Sequence, residues 1–398
     1  MMALAVMAGA GLVYWIVLFA RARRSVRAAP LVDAGLDLPA PAADEWPMLS
    51  IIVPAHNEQR VIDTCAAALR EQDYSRLEII FVMDRCTDGT ASRLAPHALA
   101  DPRIRVIDNR FCPEDWAGKC NAARIGAEAA TGDYLLFTDA DTRFDPRLCR
   151  AAVAFAHHQG LDLLSILSTL STNRRFERIV QPVATMNLLS MYPMEMVNRR
   201  QGQRPFANGQ FLLFRRACYA RIGGHACVKD DLLEDIAFAR HVFRAGGHGG
   251  IVRSGGMLRV SMYDSFQAFR EGWKRIFIEA CKRKPTRLRK AAWRLVIAGL
   301  MLPAVQFAAA IMAIALLGRG QTAIQIPLTV LSIVMASIVA QYAALSWIYA
   351  LSGAPRRGVA LYVLGCWHVA RILFAAARDL KRRRPVRWGG KTYVLQPR

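Results

Sequence analysis

Acidic residues are scarce in this chain: 31 Asp and Glu stand against 53 Lys and Arg, a formal net charge of +22 over 398 residues. What usually accompanies such an excess in a nucleic-acid-binding protein is missing, since there is no zinc-finger spacing, no RNP-like aromatic motif and no basic region with heptads. Nucleic acid is therefore not expected as a partner. The nine cysteines are odd in number and lack any C-x-x-C pair, which argues against a disulfide framework or a zinc site and agrees with a reducing cytoplasm. Neither G-x-G-x-x-G nor G-x-x-x-x-G-K-[ST] occurs, so there is no dinucleotide fingerprint and no P-loop. Any phosphate must be handled by other means.

Hydrocarbon is plentiful, at 54% of the chain, and unevenly spread. Apolar runs cover residues 1–20, 295–317 and 324–351, and a run of about 20 residues is enough to cross a bilayer as a helix. The first run has no basic segment before it and is followed by Arg21, Arg23 and Arg24, the pattern of a retained anchor and not of a cleaved signal peptide. The positive-inside rule then places the middle of the chain in the cytoplasm, as in a multi-pass protein of a bacterial-type inner membrane. Basic clusters flank the later runs, at Lys282, Arg283, Lys284, Arg287, Arg289 and Lys290, and at 381–384; such clusters are attracted to anionic headgroups. Residues 359–377 are apolar enough to be a fourth span but carry Trp367, His368, Arg371 and Arg378. A span there would put 381–384 outside, against the charge rule, so an interfacial helix is expected, with the tail around Trp388 returning toward the active site. The chain thus divides into an anchor (1–20), a basic Pro/Ala-rich linker (21–47), a catalytic domain (48–275), a basic juxtamembrane segment (276–294), two transmembrane helices (295–351), an interfacial or fourth membrane helix (352–380) and a basic cytoplasmic tail (381–398).

The middle alternates strand and helix patterns. Strands are predicted at 49–53, 77–83, 104–107 and 134–138, and helices at 59–72 and 119–130, which implies an α/β fold with a mostly parallel sheet. In such sheets ligands bind beyond the carboxyl ends of the strands. Polar residues gather there: His56, Asn57 and Glu58 after the first strand, Asp84 and Asp88 after the second, Asp139 and Asp141 after the fourth. Two carboxylates one residue apart can hold one Mg²⁺ or Mn²⁺, leaving positions for water and phosphate oxygens. The plainer alternative is a polar strand end leading into Asp145-Pro146.

Four motifs in order resemble family 2 glycosyltransferases of the GT-A fold: Ser50 to Glu58 (SIIVPAHNE), Phe81 to Thr90 (FVMDRCTDGT), Gly118 to Thr142 with its D-x-D, and Leu232 to Gly247 with Glu234-Asp235. The resemblance implies a GT-A nucleotide-sugar-binding domain with transmembrane helices and a nucleotide-diphosphate sugar as donor. Pro54, Asn57, Glu58, Asp84, Lys119 and Asp139 would lie on the donor side, Asp139 and Asp141 would carry the metal, and Asp235 would be the catalytic base. Glu234, Gln267, Arg270 and Trp273 would face the acceptor. Two departures stand out: Met83 replaces the first of two Asp residues, and in the Q-x-x-R-W motif Glu271 takes the Trp position while Trp273 follows two residues later. Within the family the chain is most similar to membrane enzymes that glycosylate carotenoid-like or hopanoid-associated lipids, on the pattern of 208–216, Glu271-Gly272-Trp273 and 387–393.

The chemistry asks for a metal to neutralise the leaving diphosphate and a carboxylate to take the acceptor proton. A double displacement would need a second, nucleophilic carboxylate, and with a single strong base motif, inversion is expected. Asp235 competes for the base role with Asp230 and Asp231, and the acidic run also suits a first helical turn. Residues 176–197, rich in Met, are either core or an acceptor groove. A lipid-like acceptor is the first reading; a processive polysaccharide synthase and a non-catalytic membrane scaffold are the alternatives.

Overall fold

The computed structural model describes residues 2–39, 45–229, 231, 233–319, 324–388 and 391–397. Its centre is a seven-stranded sheet built from β1 (Leu49–Ala55), β2 (Leu77–Asp84), β3 (Ile104–Asn109), β4 (Tyr134–Phe137), β6 (Leu163–Leu167), β8 (Leu212–Arg215) and β9 (Gly249–Arg253), in the order β3-β2-β1-β4-β8-β6-β9. All neighbours pair in parallel except β8, which runs antiparallel to both β4 and β6. A smaller sheet joins β5 (Thr142–Phe144), β10 (Leu258–Val260) and β7 (Thr169–Leu170), and the chain ends in a hairpin of β11 (Pro385–Trp388) and β12 (Lys391–Val394). This is the mixed α/β architecture with a mostly parallel sheet that the alternation predicts.

β1 and β2 are apolar almost throughout because both faces are covered. Every residue of β2 is buried; Ile51, Val53, Ile79 and Phe81 enter one core cluster, and Ile52, Ile80 and Val82 another on the opposite face. Near-continuous hydrophobic runs are what a parallel strand needs when helices pack on both sides.

The linker is docked over its described part. Arg253 donates from its backbone to Pro30 and from Nε to Ala29 (2.9 and 2.8 Å), and the 3₁₀ turn Val32–Asp37 lies against the Leu148–His158 helix. The Phe266–Ala280 helix continues unbroken through residue 275, so no break in structure falls there.

Among the described residues, four helices are long and apolar enough to cross a membrane: Ala5–Arg27, Pro285–Gly318, Gln325–Leu351 and Arg356–Lys381. The first packs on the second and third, and Gln306 Nε2 donates to Ser337 Oγ at 2.6 Å between the second and third. Such a pair satisfies two polar groups that hydrocarbon would leave bare. The Arg356–Lys381 segment is different: half of it is buried, against the Phe266–Ala280 and Pro285–Val296 helices and against Gln181–Met191. The Met-rich stretch enters the same cluster through Val180, Val183 and Ala184.

Candidate active site

The carboxyl ends of β1, β2 and β4 open on one side of the sheet, and the turns that follow them are tied together. Asn57, at φ 58°, accepts from the Thr87 backbone through Oδ1 (2.8 Å); Asn is among the few residues that tolerate this left-handed geometry. The Glu58 backbone donates to Thr90 Oγ1 (2.8 Å) and the Gln59 backbone to Asp88 Oδ2 (3.2 Å). His56 fills the turn, with Nδ1 2.6 Å from the Asp84 carbonyl oxygen. Pro54 sits in β1, paired with Val82.

Asp84, at the end of β2, is buried and accepts from Arg85 Nη2 and Nε (2.6 and 3.1 Å) and from Asn109 Nδ2 (2.8 Å). Met83, in the position of the family's other Asp, is buried in the core. The Gly118–Ala129 helix begins against this group: a Cβ on Gly118 would stand 2.5 Å from Arg85 Nη2 and 3.0 Å from Asp84 Oδ2. A side chain at 118 would have to displace the Arg85 guanidinium from Asp84.

Lys119 then reaches across the site. Its Nζ lies 2.6 Å from Asp139 Oδ1 and 2.7 Å from Glu234 Oε1. Burial pulls the ammonium pKa down, but the two carboxylates outweigh it and raise it well above the ordinary lysine range. Burial likewise pushes Glu234 up, and Lys119 more than offsets it. Among the described residues neither Glu58 nor Asp141 makes an ion pair, and the charge of Lys119 only partly offsets the rise at Asp141. Burial, then the charge of Asp139, pushes Glu58 up to about 7, and burial with Asp139 and Glu58 pushes Asp141 up to about 8. Three carboxylates crowd one small volume.

Among the described residues no group of three or more His, Cys, Asp or Glu side chains forms a complete metal cage. The site offers instead a carboxylate pair, in which Asp141 Oδ1 is buried without a hydrogen-bond partner. A hard cation that keeps waters and phosphate oxygens needs only one or two carboxylates, so Asp139 and Asp141 fit one.

Asp235 opens the Glu234–Arg244 helix. Its Oδ2 accepts from the Gly209 backbone (2.8 Å) and its Oδ1 from the Ile236 backbone (2.6 Å), which fixes the carboxylate plane. Burial and the neighbouring Glu234 push its pKa up to about 7. Asp231 lies 3.8 Å from Arg283, pointing to a different partner; Asp230 lies outside the described residues.

The acceptor-side expectations divide. Glu234 is in the cluster. Gln267 and Arg270 are exposed on the Phe266–Ala280 helix, and among the described residues neither bonds to the carboxylates. Trp273 is enclosed, with ring centroids 5.8 Å from Phe269 and 5.2 Å from Phe277. In this structure the Trp273 ring is packed among its helix neighbours and does not stand open to the carboxylates.

Two residues absent from the motif reading, Arg275 and His225, also face the site, as does Tyr393 from the 387–393 pattern. Arg275, two residues after Trp273, is pulled below the ordinary guanidinium range by burial and held up by Tyr263, Glu234, Asp235 and Asp139. His225 is buried and neutral, pushed down to about 3 by burial, with Nδ1 2.7 Å from Tyr219 Oη. Tyr393, in the terminal hairpin, lies within electrostatic reach of Arg85 and Arg275, and its hydroxyl is buried without a hydrogen-bond partner. The tail does return to the site, although by Tyr393; the Trp388 side chain lies outside the described residues.

Residues 50–223 match the family model described as glycosyl transferase family 2. Among curated proteins the chain is 33% identical over 112 residues to an uncharacterized glycosyltransferase of Haemophilus influenzae, covering 28% of this chain and 33% of the relative. It is 30% identical over 154 residues to a putative colanic acid biosynthesis glycosyl transferase of Escherichia coli, covering 39% and 52%. The chain thus spans about a third to a half of the length of these relatives. Among solved structures it is similar to a mannosyltransferase of Pyrobaculum calidifontis in complex with GDP-Man and Mn²⁺ (19% identity, 84% of this chain and 98% of that one, TM-score 0.46).

Proposed function

We propose, from the match of residues 50–223 to the glycosyl transferase family 2 model, that this chain is a membrane-bound, metal-dependent, inverting glycosyltransferase that moves a sugar from a nucleotide-diphosphate donor to a lipid-like acceptor of carotenoid, hopanoid or glycolipid type. The observation that carries the proposal is the convergence of Glu58, Asp139 and Asp141 on one side of Lys119, with Asp235 held by two backbone donors beyond Glu234.

The donor side is formed by Pro54, Asn57 and Glu58 at the first turn and Asp84 at the second, with Arg85 and Asn109 fixing the Asp84 carboxylate. Asp139 and Asp141 would hold Mg²⁺ or Mn²⁺, which when bound supplies Lewis-acid neutralisation of the departing diphosphate. Lys119, already between two carboxylates, is placed to exchange one of them for a phosphate oxygen. Asp235 takes the acceptor proton: a base works best with a pKa near the operating pH, and burial together with Glu234 raises this carboxyl to about 7. Attack opposite the leaving group then inverts the anomeric carbon.

Hydrocarbon on both sides of the domain supports a membrane acceptor. The ends of the Arg356–Lys381 segment support an interfacial placement over a fourth crossing, with the catalytic domain and tail both cytoplasmic. Near its start, Gly358 and Gly365 lie close to the Arg178 and Ile179 carbonyls; near its end, Asp379 Oδ2 lies 3.2 Å from Lys274 Nζ.

The test is to supply labelled nucleotide sugars with a membrane lipid extract and Mg²⁺ or Mn²⁺. A discrete labelled lipid is expected. High polymer would favour a polysaccharide synthase, turnover undiminished by a chelator would remove the metal, and no turnover with any donor would leave a scaffold.

A further inference from the structure

A groove of about 380 Å³ opens between the Pro285–Val296 helix and the last turns of the Tyr362–Lys381 helix, lined by Arg289, Phe374, Ala377, Arg378, Lys381 and Arg382. Four of its six lining residues are cations. Arg378 has one loose acidic neighbour, Asp379 at 3.7 Å, which also serves Lys274 and Arg384; among the described residues Arg289, Lys381 and Arg382 show no ion pair. Like charges held this closely repel, and an anion seated among them would relieve that repulsion. The floor is apolar, and the Phe374 ring meets Trp293 edge-on at 5.6 Å.

The first of these helices identifies the anion's carrier. Starting from Arg289, every fourth residue is Trp293, Ile297 and Met301, exposed by 53, 55 and 53%. Residues four apart are neighbours on an α-helix, which joins Arg289 to Trp293, and the π-helical turn Ile297–Met301 continues the chain with two exposed aliphatic side chains within the same apolar span. A cation at headgroup depth, an aromatic at the interface and open hydrocarbon below is the order in which a phospholipid presents phosphate, glycerol and acyl chain. Inorganic phosphate would use the rim and leave these apolar side chains unused. We infer that this groove binds the phosphate of a two-chain anionic phospholipid, with an acyl chain lying along Trp293, Ile297 and Met301. The site lies three residues before the terminal hairpin, so an occupying lipid would also anchor the stem from which Tyr393 reaches the active site.

The inference rests on the membrane placement of these helices and not on the sugar chemistry. The full chain, purified in mild detergent, would be incubated with phosphatidylglycerol or with phosphatidylcholine of the same acyl chains and examined by native mass spectrometry. Retained phosphatidylglycerol is expected to exceed phosphatidylcholine, and Arg289→Ala/Arg382→Ala should weaken its retention roughly thirty-fold, from about five-fold per cation at a membrane surface. Lys282→Ala/Lys284→Ala, in the neighbouring basic corner, should leave it unchanged. If the first double variant is not recovered folded, Lys381→Gln/Arg382→Gln at the exposed helix end replaces it. Equal retention of both lipids, retention indifferent to the groove variants, or displacement by inorganic phosphate as effective as by lipid would each overturn the site. Recovery of the chain outside the membrane fraction would overturn the placement as well.

Discussion

Asp235 is where the site's chemistry is most exposed to a single substitution. Asp235→Asn keeps the shape but can accept from only one of the two backbone N–H groups and cannot take a proton, so kcat should fall by about 10²–10⁴ while donor affinity, followed by a thermal shift, holds. The wild-type pH profile tests the same proposed role: a base works deprotonated, so if Asp235 is the base kcat/KM should rise about tenfold per pH unit below about 7 and level off above it. A flat profile across that range would remove Asp235 from the role. Gly209 offers a gentler test. A Cβ there would stand 3.2 Å from Asp235 Oδ2, and Gly209→Ala should lower kcat by about tenfold, ~1.4 kcal/mol of transition-state stabilisation, with donor KM unchanged. Gly209 was not legible as a site residue, because its contribution is a backbone N–H brought in by the approach of β8, and no side chain announces it.

Elements were legible where the pattern was local. The first four strands lie within two residues of their expected positions because their apolar runs are bounded by polar turns on both sides. The Thr90–Ala100 helix was missed, and Pro96 in its interior is the reason: proline reads as a breaker, and this helix accepts one lost backbone bond. The direction of β8 was not legible either, since a four-residue strand with three buried residues carries no sign of parallel or antiparallel pairing. The terminal hairpin is the largest element whose role only the fold supplies. Its Leu395 is buried in the cluster that holds Trp273 and Phe277, which brings Tyr393 over Arg85 and Arg275. A buried hydroxyl without a partner costs stability that a bound phosphate or sugar would return. Tyr393→Phe should therefore raise donor KM roughly three- to ten-fold, the worth of one hydrogen bond, with no loss of thermal stability in the donor-free protein. A drop in stability matching the drop in affinity would make the hydroxyl structural instead.

At the scale of the whole molecule, the number of crossings follows from what the ends of the last long helix touch. By length and hydropathy alone, Arg356–Lys381 equals the other three candidates. A helix of twenty residues is about 30 Å long, the thickness of the hydrocarbon core, so a crossing would put its two ends on opposite faces of the bilayer. Here both ends meet the same domain: Gly358 and Gly365 against the Arg178 and Ile179 carbonyls at one end, and Asp379 on Lys274 with Leu395 in the core at the other. The basic stretch 381–384 then stays with the catalytic domain, as the charge rule demands. In the proposed topology, three crossings put the amino terminus on the opposite face. In a bacterial host, a fluorescent protein fused at the carboxyl terminus should fluoresce, and alkaline phosphatase at the same point should be inactive, whereas phosphatase fused at the amino terminus should be active. An active carboxyl-terminal phosphatase would require a fourth crossing, and with it the separation of Tyr393 from the site that its fold brings it to.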